Sequence, residues 1–99
     1  MRVLFSDEAE RGLEEIGDYI AKDNPRRAIS IMRELRDSAL VLADHPKAHP
    51  LIPRYEECGH RRKPYRSYLI IYTVKGDHVL IDAILQGSQD YESVLFGDG

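Results

Sequence analysis

Residues 59 to 74, Gly-His-Arg-Arg-Lys-Pro-Tyr-Arg-Ser-Tyr-Leu-Ile-Ile-Tyr-Thr-Val, gather five side chains able to carry positive charge, His60, Arg61, Arg62, Lys63 and Arg66, within eight positions. Guanidinium and ammonium groups at this density suit carboxylates or phosphates, so the stretch points to an acidic partner. The plainer alternative is a solvated strand whose charges keep an exposed sheet edge from pairing with other chains, and Pro64 fits an edge. Edge protection needs fewer charges than this, which favours a partner surface. Strand alternation places Arg62, Pro64 and Arg66 on one face and Arg61, Lys63 and Tyr65 on the other, so only one subset can line a groove. Tyr65 and Tyr91 are the tyrosines suited to contact; Tyr68 and Tyr72 share a strand face and are expected to bury their rings with the hydroxyls at the rim.

Other chemistry is weakly encoded. His45 and His49 have an i, i+4 spacing that would converge on a metal only in a helix, and Pro46 and Pro50 prevent a regular one. No third ligand sits at a fitting distance, so neither metal nor cofactor is expected. The single cysteine, Cys58, has no partner for an internal disulfide and reads as a loop thiol beside Gly59.

The chain has 99 residues, 42% hydrophobic and 31% charged, the profile of an ordinary folded domain. One domain over residues 1–99 is expected, burying about 60 to 70% of its unfolded surface. No run is long and apolar enough for a membrane span, and the N-terminus lacks the pattern of a signal peptide, which places the protein in the cytosol. Charge is segregated: residues 1 to 23 hold seven acids and three bases, residues 24 to 75 eleven bases and five acids, and residues 76 to 99 five acids and no base. A basic middle between acidic ends suggests a bipolar molecule. Direct nucleic-acid binding is disfavoured, because the pI is only about 5.8 and dedicated binders are basic overall.

The elements that must position the basic stretch are legible in order. Residues 2 to 5 form a short strand that stops at Ser6-Asp7-Glu8, a capped helix start with acids in its first turn. Ala9, Leu13, Ile16 and Ile20 then mark one stripe of a first helix. Asn24 as N-cap and Pro25 as first helical residue open a second helix with the stripe Ala28, Ile31, Met32, Leu35, Ala39 and Leu42. So short a connection predicts an antiparallel helical hairpin, whose inner side needs a sheet to cover it. Ile29, Leu40 and Val41 lie off the inner stripe and could receive a partner helix. Residues 45 to 58, with three prolines, read as a stiffened loop. After the basic strand, Tyr68 to Val74 alternates as a strand apolar on both faces, Lys75-Gly76-Asp77 turns, and Val79, Ile81, Ala83 and Leu85 alternate with Leu80, Asp82, Ile84 and Gln86 in its partner. Ser88 is expected to cap a last short helix carrying Tyr91, Val94, Leu95 and Phe96.

With these residues in place, the chain resembles the ParE branch of the ParE/RelE superfamily, the small toxins of type II toxin–antitoxin modules. The matching stretches are Asp-Asn-Pro at 23 to 25 with Ala28, Leu-Ala-Asp-His-Pro at 42 to 46, Gly-His-Arg-Arg at 59 to 62, Tyr-Leu-Ile-Ile-Tyr at 68 to 72 and Ala-Ile-Leu-Gln-Gly-Ser-Gln-Asp-Tyr at 83 to 91. The resemblance implies an α+β fold, a helical hairpin packed on a small curved antiparallel sheet in the order β-α-α-β-β-β with a short C-terminal helix. It also implies a ParD-like antitoxin that wraps the hairpin and sheet edge in a hetero-oligomer, and a free toxin that inhibits DNA gyrase or a related topoisomerase by binding. Arg61, Arg62, Lys63, Tyr65, Arg66, Gln89 and Tyr91 are the expected target- or antitoxin-binding residues, with Ile29, Leu40 and Val41 as the antitoxin's helix groove. The RelE branch instead cuts messenger RNA on the ribosome. Arg61 and Lys63 stand where its strand bases fall, but Leu69, Gln89 and Leu95 replace the arginines and tyrosine that its chemistry uses, so catalysis is not expected. Gln86 and Gln89 stand where ParE toxins commonly carry histidine and arginine. That substitution keeps open a third reading, a non-toxic homologue that retains antitoxin binding.

Overall fold

The computed structural model describes residues 1–87 and 90–97, apart from the side chain of Val94. Strand β1 (Arg2–Phe5) leads into helices α1 (Asp7–Ala21) and α2 (Pro25–Leu40). Strands β2 (His60–Tyr65), β3 (Tyr68–Lys75) and β4 (His78–Gln86) follow, and helix α3 (Tyr91–Phe96) ends the described elements. Both helix starts are as the sequence predicts. Ser6 Oγ accepts from the Ala9 amide, Asn24 Oδ1 accepts from the Arg27 amide, and Pro25 occupies the first turn. The predicted cap of the last helix is displaced: α3 begins after Asp90, whose carboxylate accepts from the Ser93 amide, and Ser88 lies outside the described residues.

The sheet order is β1-β4-β3-β2. The pairs β2/β3 and β3/β4 are antiparallel, as expected, whereas β1 runs parallel to β4, so the sheet is mixed. The inner stripes of α1 and α2 close over one face, burying Leu13, Ile31, Leu35 and Leu42 against Ile70, Tyr72, Val79, Ile81 and Ile84. The opposite face is covered too. There Leu69, Ile71, Ala83 and Leu85 pack with Ile52 from the proline loop, flanked by Tyr55 and by Tyr91, Leu95 and Phe96 of α3. Tyr72 is wholly buried, hydroxyl included, and does not carry that hydroxyl to the rim as expected.

Regular alternation in β4 fails at one place. Ile71 pairs with Ala83 but Tyr72 pairs with Ile81, which leaves Asp82 as the extra residue of a β-bulge. The bulge lets Ile81 and Ile84, three positions apart, both face the helices, and turns Ala83 and Leu85 to the other core. A strict period of two would have put Ile84 with the wrong set. Ser6 stabilises the bulge from α1's N-terminus: its amide donates to the Ile81 carbonyl at 3.0 Å and its hydroxyl to the Asp82 carbonyl at 2.9 Å. The Asp82 carboxylate accepts from Thr73 Oγ1 at 3.1 Å and lies 3.7 Å from His60 Nε2. Burial holds this carboxyl above the usual aspartate range, with the nearby His60 and the Thr73 hydrogen bond opposing the shift.

Two interior glycines of α1 set how closely it approaches its neighbours. A Cβ at Gly12 would overlap the carbonyl oxygen of Ile84, and one at Gly17 would overlap the sulfur of Met32. The clash at Gly12 is with backbone, which cannot swing away. Gly12→Ala therefore should lower unfolding stability by about 1–3 kcal/mol in a denaturant titration, although alanine gains roughly 1 kcal/mol in helix propensity. Asp82→Asn tests the carboxyl in its half-buried site. Because the folded-state pKa is raised, ionisation begins to oppose folding as pH climbs past the unfolded value near 3.8 and does so fully above the folded value. Relative to wild type the variant should gain stability across that window, in denaturant melts at stepped pH.

Candidate partner-binding surface

The basic strand is an edge strand, and its outer edge is partly occupied. The Ile52 amide donates to the His60 carbonyl at 3.0 Å and the Arg62 amide to the Pro50 carbonyl at 3.2 Å. Pro64 is next in this outward-facing series and has no N–H to offer, so the proline loop and the proline together blunt the edge.

Because both sheet faces are packed, alternation divides the five cations. On the helix side Lys63 Nζ donates to the Ser38 carbonyl at 2.6 Å, satisfying one of the last four carbonyls of α2 at its negative end. Burial pulls its ammonium below the usual lysine range. Arg61, on the same side, donates from Nη1 to the His49 carbonyl at 2.7 Å and pins the proline loop. His49 is itself held below the usual histidine range by burial and then by the Lys63 charge.

Arg66 departs from the sequence expectation. It follows the end of β2 with φ at 54°, and this left-handed turn carries it away from the Arg62 face toward α2. There Glu34 gathers three donors: Tyr65 Oη at 2.8 Å and Arg66 Nε at 3.2 Å to Oε1, and Arg27 Nη1 at 2.6 Å to Oε2. The Tyr65 hydrogen bond first, and then Arg27, lower the Glu34 carboxyl below its usual range. Sequence inspection did not single out Glu34. The available signal was its place three positions after Ile31 and four before Ser38, at the border of the apolar stripe.

His60 and Arg62 lie on the opposite face, beneath α3. The Arg62 guanidinium carbon is 5.6 Å from the Tyr91 ring centroid, so two residues singled out separately in the sequence meet in space. Phe96 stacks on Tyr55 at 4.0 Å with the rings nearly parallel and receives the edge of His60 at 5.4 Å. Arg54 joins the same region through Glu92, at 3.0 Å. Gln89 lies outside the described residues.

The flank of α2 is open to a partner. Glu34, Asp37, Ser38, Val41, Lys63 and Tyr65 line a shallow hollow of about 410 Å³. Val41 is 53% exposed and the adjacent Leu40 45%. Ile29 is 62% exposed but lies three helical turns earlier, roughly 17 Å along the axis, outside this hollow. The hollow thus offers an apolar side chain, an aromatic ring, a lysine and two carboxylates. It suits an amphipathic segment rather than a small polar substrate.

No curated protein matches the sequence. Among solved structures, a chain of the "Chromosomal ParDE TA system from P. aeruginosa" superposes with a TM-score of 0.73, at 18% identity, over 87% of this chain and 95% of its own. At that identity the likeness speaks for the fold. The sequence itself matches, over residues 3–91, the family described as ParE toxin of type II toxin-antitoxin system, parDE. That match spans β1 through the first residue of α3 and takes in the whole basic strand, and the chain belongs to the ParE toxin family.

Proposed function

We propose that this chain is a cytosolic toxin that acts by binding, not catalysis, with DNA gyrase or a related topoisomerase as its target, and that a ParD-like antitoxin holds it inactive. Residues 1–99 form, in this proposal, a single toxin domain. The observation behind the non-enzymatic reading is the division of the basic strand. Arg61 and Lys63, the candidate bases of a ribonuclease, face the helices and are engaged with backbone carbonyls. Leu69 and Leu95, at the positions of charge- and proton-supplying groups, belong to the apolar cluster on the other face. A phosphate could not meet both sets at once, because the sheet lies between them. A transition state of RNA cleavage needs base and charge stabilisation converging on one phosphate.

The antitoxin, in this proposal, lays an amphipathic segment along α2, with apolar side chains against Leu40, Val41 and the Tyr65 ring. Arg62, Arg66 and Tyr91 would serve the target or the antitoxin from the strand end and α3.

Two experiments follow. Inducing the chain without antitoxin in bacteria, with pulse-labelling of DNA and protein synthesis, should stop DNA synthesis and give filaments while translation continues. An immediate halt in translation would instead identify a ribonuclease, and no effect on either would identify a non-toxic homologue. Leu40→Glu with Val41→Glu should weaken antitoxin binding at least about tenfold by calorimetry while leaving the thermal melt near wild type, since both side chains are exposed.

A further inference from the structure

A second open groove runs along α1, on the opposite flank of the hairpin from the Val41 hollow. Two adjoining hollows form it. One, of about 250 Å³, lies where Gly12 brings α1 down onto Ile84, with Glu8, Arg11 and Glu15 at its rim. The other, of about 370 Å³, is walled by Tyr19, Ile20 and Tyr68 and closed at its end by Ser67 and Gly87. Ile16 and Gln86 line both, which makes the two halves continuous.

The halves differ in chemistry. The second is mainly hydrocarbon and aromatic, and Tyr19 stands over it 65% exposed, the most exposed of the large hydrophobic side chains among the described residues. The first is rimmed by acid. Helix α1 carries six carboxylates and one base, Arg11. Glu8 is paired with Arg11 at 2.8 Å and Glu10 with Arg36 at 3.0 Å. Asp7, Glu14, Glu15 and Asp18 have no ion pair among the described residues, and all four are exposed. At the aromatic end the Lys22 ammonium lies 5.9 Å from the Tyr19 ring centroid. Of the four carboxylates without an ion pair only Glu15 lines the groove, where Arg11 is the one base. The helix as a whole, however, carries six acids against that single base, so its apolar slot sits in a negative field that favours a basic segment.

We infer that the α1 groove docks a basic segment of a partner protein, one or two bulky apolar side chains entering between Tyr19 and Tyr68 while Lys or Arg residues meet the Glu15 side of the rim. The site is separate from the surface proposed for the antitoxin and does not depend on the identity of the toxin's target. It gives the helical hairpin a docking groove on each flank.

Random peptides displayed on phage, panned on the full chain and counter-selected on a Glu15→Lys/Tyr19→Ala variant, test this. Both substituted side chains are exposed, so the variant should melt as wild type does. Selected peptides should place Lys or Arg beside Leu, Phe or Trp. They should bind wild type at least about tenfold more tightly than the variant, and weaken as salt rises. The Leu40→Glu/Val41→Glu variant should bind them as wild type does, which separates this groove from the antitoxin surface. Failure to enrich any variant-sensitive peptide, selection of acidic peptides, or equal binding to both proteins would overturn the inference. Self-association of the chain that the Glu15→Lys/Tyr19→Ala change abolishes would also overturn it, by making the occupant a second copy.

Discussion

Strands β3 and β4 are buried on both faces, and most other features of the molecule follow from that constraint. A strand presents alternate side chains to opposite sides, so two cores must be filled from one ladder. The helical hairpin fills one; the proline loop and α3 fill the other. Each fully buried isoleucine or leucine contributes on the order of 1.5–3 kcal/mol, and the inner strands supply them to both sides at once. The bulge at Asp82 is the adjustment that lets β4 serve both cores, and Ser6 ties it to the start of α1. One serine thus couples the first strand's exit, the first helix's cap and the register of the central sheet.

The same constraint disperses the basic strand. Four neighbouring cations, Arg61, Arg62, Lys63 and Arg66, would repel one another on a single surface, yet here each meets a different environment. Lys63 caps α2, Arg61 secures the proline loop, Arg66 joins Glu34, and Arg62 lies near the ring of Tyr91. Much of the cluster's charge therefore serves internal order, the bland role that the sequence held open beside the functional one. The surfaces left for partners are the apolar flanks of the hairpin. Beside α2 the hollow is lined by Lys63, Glu34, Asp37 and exposed Val41; beside α1 the groove is aromatic at one end, with Glu8, Arg11 and Glu15 at the other. A small binding protein needs no deep cleft to engage two partners if two flanks of one hairpin differ in shape and lining.

The sequence by itself determined the elements, their order and the starts of the two long helices, because these rest on local physics. Helix caps at Ser6 and Asn24, the apolar stripes of both helices, the turn at Gly76-Asp77 and the two-sided character of β3 all arise from interactions among near neighbours. The family was legible for the same reason: the matching motifs are caps, turns and strand patterns in a set order. Tertiary structure alone decided which way β1 runs beside β4, where β4 slips by one residue, and which environment each cation enters. The position of Arg66 shows why. Its left-handed turn is fixed by β2 pairing with β3, and the draw of Glu34 comes from a helix more than thirty residues away in sequence. The glycines of α1 left a trace, since a glycine inside a helix is costly without a close neighbour, but the neighbours, Ile84 and Met32, could be named only once the layers were stacked. Local patterns encode what a segment can be, and long-range packing assigns what its side chains touch.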